Sequence, residues 1–127
     1  QWVNDAYNAN PDSMRAGITA FVEMFSGHEE QRNMYLVLGD MKELGEWSAE
    51  EHEKLLAWVK GKYPDAIVVP VGIEMQNAAE HLNIEACATV DEATEKLNRT
   101  LMNGDRVFLK ASRSLRLETL CRTVVLP

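Results

Sequence analysis

Three polar stretches of this 127-residue chain carry side chains that could do chemistry: NDAYNANPDSM at 4–14, GDMKELGEWS at 39–48 and KASRS at 110–114. In the first, Asp5 can accept from both hydroxyls of a ribose, and Tyr7, Asn8 and Asn10 can meet a base by face or edge. Asn10 is also a good helix cap, and Pro11 follows at the position where a missing N–H costs nothing. A helix start adds N–H donors and a positive dipole end suited to phosphate. The same residue types serve a plain connector, and local chemistry leaves both readings open. In the second stretch Asp40 follows an apolar run, with Lys42, Glu43 and Glu46 close behind. A solvated acidic loop has the same composition. In the third, Lys110, Ser112, Arg113 and Ser114 suit a carboxylate or phosphate, which Arg can hold by two parallel hydrogen bonds. A Ser cap beside surface cations is the plainer alternative.

Other chemistries find little support. His52 falls on the apolar stripe of a helix and reads as a packed, hydrogen-bonded imidazole, while His28 and His81 read as surface residues. There is no CxxC, HExxH or EF-hand spacing for a metal, and no GxxxxGK[ST] loop to grip a nucleotide triphosphate tail. Trp2, Trp47 and Trp58 are scattered and form no stacking platform. A net charge of -7 argues against nucleic acid or an anionic membrane as the main partner. No apolar run approaches a membrane span, and no basic-then-apolar leader opens the chain. Cys87 and Cys121 lie in apolar surroundings and read as buried thiols of a reducing compartment.

The elements that would position the three stretches follow from periodicity. Met14, Ile18, Phe21, Val22 and Phe25 repeat at helical spacing, with Gly27 as a stop. MYLVLGD reads as a buried strand, and Ser48 with Glu51 as a capping box opening a helix whose stripe is His52, Leu55, Leu56, Val59 and Tyr63. AIVVPVG is a further strand, 74–82 a short helix, and Ile84–Ala88 a weak strand. Thr89 and Glu92 form another capping box before Ala93, Leu97 and Leu101. RVFLK is a strand, and Leu117, Leu120, Cys121 and Val124 make a last helical face. Strands alternating with helices predict an α/β fold: a Rossmann-like three-layer sandwich with a mostly parallel sheet flanked by helices. The length suits one domain, 1–127, and the start without Met suggests a piece of something longer. Such sheets bind ligands beyond the carboxyl ends of their strands, where all three polar stretches fall.

Taken together, NDAYNANPDSM, LVLGDMKELGEWSAEEH and VFLKASRSLRLE resemble the C-terminal domain of the bacterial Mur ligases, closest to the MurF type. The similarity covers nearly the whole chain and keeps the motifs in order. It implies the third domain of a three-domain cytoplasmic ligase of peptidoglycan precursor synthesis. Such a ligase uses ATP and Mg²⁺ to activate UDP-MurNAc-tripeptide as an acyl phosphate, which the amine of D-Ala-D-Ala attacks. The resemblance puts the P-loop, the Mg²⁺ ligands and a modified lysine in a central domain. No catalytic residue or metal ligand is therefore expected in this chain, and the chain alone is expected to be inactive. By the same resemblance Asp5 contacts ribose, and Tyr7, Asn8 and Asn10 lie near adenine, ribose or phosphate. Asp40, Lys42, Ser112 and Arg113 then face the acceptor and the phosphates. The family sheet also implies one antiparallel strand.

Three rivals compete. A response-regulator receiver has a similar acidic set and Lys, mimicked by Asp5, Asp40 and Lys110. However, Asp40 ends the second strand where a receiver's phospho-accepting Asp ends the third, and Ala111 stands where Pro is common. The C-terminal domain of a folylpolyglutamate synthetase is a related ligase module, against which YNANPDSM with GDMKELG favours the MurF type. A plain interaction domain of Rossmann-like shape is the third.

Overall fold

The computed structural model describes residues 2–4, 10–25 and 33–111. In chain order these form β1 (Trp2–Asn4), α1 (Pro11–Phe25), β2 (Met34–Gly39), a 3-10 turn (Gly45–Trp47), α2 (Ser48–Lys62), β3 (Ile67–Val71), α3 (Ile73–His81), α4 (Val90–Thr100) and β4 (Arg106–Lys110). The strands make one sheet in the order β1-β4-β2-β3. Every ladder among the described residues is parallel. The expected Gly27 stop and the last helical face from Leu117 lie outside the described residues.

Alternation along the strands builds two cores. Leu36, Leu38 and Phe108 face one side, where they meet Met14, Ile18, Phe21 and Phe25 of α1, Leu55, Leu56 and Val59 of α2, and Met75, Ala78 and Ala79 of α3. Tyr35, Val37, Val69, Val71, Val107 and Leu109 face the other side and pack on Ala93 and Leu97 of α4. The expected three layers are therefore present. Burying each Leu, Phe or Met side chain contributes about 1.5–3 kcal/mol. Phe21 adds edge and tilted ring contacts to Phe25 and Phe108, with centroids 5.2 and 5.4 Å away.

Two helix starts form as the sequence predicts. At α1, Ser13 N–H donates to Asn10 Oδ1 at 2.9 Å and Asn10 N–H donates to Ser13 Oγ at 3.0 Å, a reciprocal cap. At α4, Glu92 N–H donates to Thr89 Oγ1 and the Glu92 carboxylate accepts from Ala88 N–H.

Two expectations are corrected. Ser48 does not cap α2: it is that helix's first residue, and its hydroxyl donates to Glu74 Oε2 at 3.2 Å. A tertiary partner has displaced the local one. The weak strand at 84–88 contracts to a single parallel bridge, Val71 to Cys87, held by Cys87 N–H to Pro70 O and Gly72 N–H to Cys87 O. The next rung would use the Gly72 carbonyl, which instead accepts Gln76 N–H as α3 begins, so the ladder stops after one bridge.

Candidate functional site

Register fixes where the polar loops emerge. Asn4 pairs with Leu109, Leu38 with Lys110, and Gly39 with Val71, so the carboxyl ends of all four strands lie along one edge. Of the residues expected there, Asp5, Tyr7, Asn8, Ser112 and Arg113 lie outside the described residues. Asn10, Asp40 and Lys42 lie within them.

The loop after β2 turns through two left-handed positions, Glu43 (φ 63°) and Gly45 (φ 56°), before its 3-10 turn delivers the chain to α2. Its two ends are fixed by a closed circuit of hydrogen bonds. The Asp40 carboxylate, only 4% exposed, accepts Met75 N–H at 2.9 Å on Oδ1 and Glu74 N–H at 3.4 Å on Oδ2. It thereby caps α3, 34 residues downstream of Asp40 for Glu74. The next residue, Met41, buries its side chain and donates its N–H to His52 Nε2 at 2.9 Å. An acceptor Nε2 places the imidazole proton on Nδ1, which lies 2.6 Å from the Ser48 carbonyl oxygen and donates to it. Ser48 Oγ then donates to Glu74 Oε2, and Glu74 N–H returns to Asp40. His52 is fully buried and hydrogen-bonded on both nitrogens, as its place on the apolar stripe predicts. Beyond this clamp Lys42, Glu43 and Glu46 are exposed.

The loop does not stand apart from the first polar stretch. A cleft of about 730 Å³ runs between the start of α1 and the loop, with Asn10, Arg15, Glu43, Leu44, Trp47 and Lys54 among its walls. The structure thus brings Asn10 together with the GDMKELG segment. Arg15 and Trp47 are additions that the sequence reading missed. Trp47 is 59% exposed, and an aromatic at the end of a polar loop is the signal that could have found it. Lys54 is ion-paired to Glu50 at 3.0 Å, and that hydrogen bond and charge raise its pKa above the ordinary 10.5. Lys110, at the end of β4, is 2% exposed. No group of three or more His, Cys, Asp or Glu among the described residues could hold a metal ion. No helix among them is long and apolar enough to cross a membrane.

Comparison with known proteins agrees with this geometry. The family model "Mur ligase, glutamate ligase domain" matches residues 1–113. The UDP-N-acetylmuramoyl-tripeptide–D-alanyl-D-alanine ligase of Mycobacterium tuberculosis (strain ATCC 25618 / H37Rv) is 49% identical over 121 residues, covering 90% of this chain and 24% of the relative. The ligase of the same name from Bacillus subtilis (strain 168) is 30% identical over 129 residues, covering 97% and 27%. A crystal structure of MurF from Acinetobacter baumannii superposes with a TM-score of 0.80 at 30% identity, over 97% of this chain and 27% of that one. MurF of Thermotoga maritima, solved in complex with ADP, gives 0.73 at 25% identity, again over 97% and 27%. The chain therefore spans about a quarter of the length of the relatives it matches. On the strength of the family match, the parallel sheet and the MurF likeness, the chain belongs to the Mur ligase family, as a MurF-like C-terminal (glutamate ligase) domain.

Proposed function

We propose that this chain is the third domain of a three-domain cytoplasmic ligase that adds D-Ala-D-Ala to UDP-MurNAc-tripeptide in peptidoglycan precursor synthesis. The observation that carries the reading is the 49% identity to a ligase of that name across 90% of this chain. The alignment of the carboxyl ends of β1, β2 and β4, from which the polar stretches lead, supports it. ATP with Mg²⁺ supplies the phosphoryl group that activates the tripeptide carboxyl. The P-loop, the Mg²⁺ ligands and the binding of the UDP-sugar peptide belong to the other domains, so the chain by itself forms no amide. Within this chain Asp5 holds the ribose, and Tyr7, Asn8 and Asn10 line the nucleotide. Lys42, Ser112 and Arg113 face the acceptor carboxylate and the phosphates, while Asp40 works from beneath by holding the Lys42 loop. A receiver-like role has less support, because the Asp40 carboxylate is buried under two amides instead of open to a phosphodonor.

The dipeptide carboxylate must be held while its amine attacks, and Arg113 can grip it by two parallel bonds. The test is Arg113→Ala and Ser112→Ala in the full-length enzyme, with ATP and D-Ala-D-Ala titrated separately. Loss of an acceptor grip raises the dipeptide KM about tenfold or more and leaves the ATP KM nearly unchanged. If only the ATP parameters move, Arg113 belongs to the nucleotide and the acceptor assignment is wrong.

A further inference from the structure

We infer that His52 and Ser48 are positioning residues for substrate binding, acting through the Met41 amide and the Glu74 carboxylate to fix where the Lys42 loop presents its cation. The inference rests on the proposed function above, in which Lys42 faces the substrates.

A buried imidazole needs a partner for each nitrogen, and Nδ1 of His52 finds its own in Ser48 O one turn earlier. Nε2 reaches outside the helix to the backbone of the loop and accepts Met41 N–H at 2.9 Å. That amide is one residue before Lys42. On the other side of the loop Ser48 Oγ ties the start of α2 to Glu74 of α3, and Glu74 N–H closes the circuit on Asp40. The segment from Lys42 to Trp47 is therefore held at both ends by one ring of bonds spanning β2, α2 and α3. Left-handed Glu43 and Gly45 lie inside the held segment. A loop with these two turns and free ends would sample many directions. With its ends fixed it offers Lys42 in one direction, and the ordering entropy is spent before the ligand arrives.

The chemistry of the ring supplies its own controls. In His52→Gln the side-chain oxygen can still accept Met41 N–H, but the bond to Ser48 O is lost. In His52→Asn the side-chain amide can still donate to Ser48 O, but Met41 N–H is orphaned. Both replacements are neutral and polar, so a merely structural histidine would not separate them in this sense. We would make both in the full-length ligase, with Lys42→Ala as the reference and His52→Asn/Lys42→Ala as the double variant. Amide exchange of the peptide spanning 40–47 and separate KM values for ATP and D-Ala-D-Ala are the readouts.

The expected result is that His52→Asn raises, by about tenfold, the same KM that Lys42→Ala raises, with kcat less affected. His52→Gln stays within about threefold of wild type, and the double variant is no worse than Lys42→Ala alone. Exchange at 40–47 accelerates in His52→Asn and not in His52→Gln. Equal kinetics for Asn and Gln, additive losses, or a Lys42→Ala enzyme with unchanged KM values would each overturn the inference. Should His52→Asn fail to fold, Ser48→Ala opens the ring from the other side and must raise the same KM, again without adding to Lys42→Ala. A wild-type enzyme that does not ligate D-Ala-D-Ala overturns the functional reading and this inference together. Normal ligation with unaffected ring variants overturns this inference alone.

Discussion

Gly72 stands against the Asp40 carboxylate so closely that a Cβ on the glycine would lie 2.5 Å from Asp40 Cγ and from both of its oxygens. The glycine also holds φ 113°, donates its N–H to Cys87 O and accepts from Gln76 N–H, so the backbone cannot swing away without breaking both bonds. Nor can the carboxylate retreat, because two α3 amides hold it. Gly72→Ala therefore destabilises by about 2–4 kcal/mol, combining backbone strain with overpacking. In an Asp40→Ala background the clash vanishes and the added cost of Gly72→Ala falls to about 1–2 kcal/mol of strain. Urea unfolding of the four proteins in this cycle measures the coupling. Simple additivity would mean that the contact is not what makes glycine necessary.

Asn10 combines a cap with a proposed nucleotide contact, and two substitutions separate them. Asn10→Ala removes the acceptor for Ser13 N–H and costs about 1 kcal/mol. Asn10→Asp keeps the cap and nearly all the stability but brings a negative charge toward the phosphates of ATP. The aspartate variant is expected to match wild type in denaturation midpoint and to show a raised ATP KM in the full-length enzyme. An unchanged ATP KM leaves Asn10 as a helix cap alone.

Asp5→Ala in the full-length ligase is expected to raise the ATP KM. A charge-assisted hydrogen bond to ribose contributes about 1.5–3 kcal/mol, on the order of tenfold to a hundredfold in affinity. A normal ATP KM in a normally stable variant returns Asp5 to a connector role.

Cys87 supplies a pH prediction. Burial of its thiol, the largest influence, pushes its pKa above the ordinary 9.0 by disfavouring the thiolate. The folded state thus holds the proton more tightly than the unfolded state. The resulting stability is present in full below pH 9.0 and is lost as pH climbs from there through the raised folded value. Cys87→Ser is expected to flatten the alkaline side of the stability profile measured between neutral pH and 10.5. An equal alkaline decline in both proteins would assign that decline to other groups. Aromatic disulfide reagents should also label native Cys87 far more slowly than the unfolded chain at pH 8.

The sequence showed most clearly those features that depend on near neighbours. The Asn10–Ser13 and Thr89–Glu92 caps involve partners three residues apart, and each formed as read. The stripes of α1 and α2 gave the correct buried faces, and alternation of strands and helices gave the layers. The failures share one cause. Ser48 had a capping residue in register at Glu51, yet its hydroxyl went to Glu74, 26 residues away, because folding set a buried-side acceptor beside it. Asp40 was expected to face the acceptor and the phosphates; the two α3 amides that its carboxylate accepts come from 34 and 35 residues away, and no local pattern announces them. Cys87 pairs with β3 for one residue only, since β3 turns into α3 at Gly72 and the Gly72 carbonyl goes to Gln76 N–H. Arg15 and Trp47 were not assigned to the site, because a cleft wall becomes visible only once two elements have met. The family motifs supplied the grouping of the three polar stretches, which no local rule could have proved.

The strand order sets a timetable for the chain. β4 is the last strand described, and it inserts between β1 and β2: Trp2 pairs with Val107 and Tyr35 with the same Val107 from the other side. Until that segment leaves the ribosome β1 has no neighbour among the described strands, and β2 has only β3. The two halves of the carboxyl edge, one bearing the Asn10 turn and the other the Lys42 loop, are joined by the arrival of a single five-residue strand. A nascent chain stalled before Arg106 is then a β2–β3 sheet with its helices and an unpaired flank, exposed to proteases and to sticky edges. Among the described strands, the carboxyl edge becomes continuous only when β4 takes its place between β1 and β2.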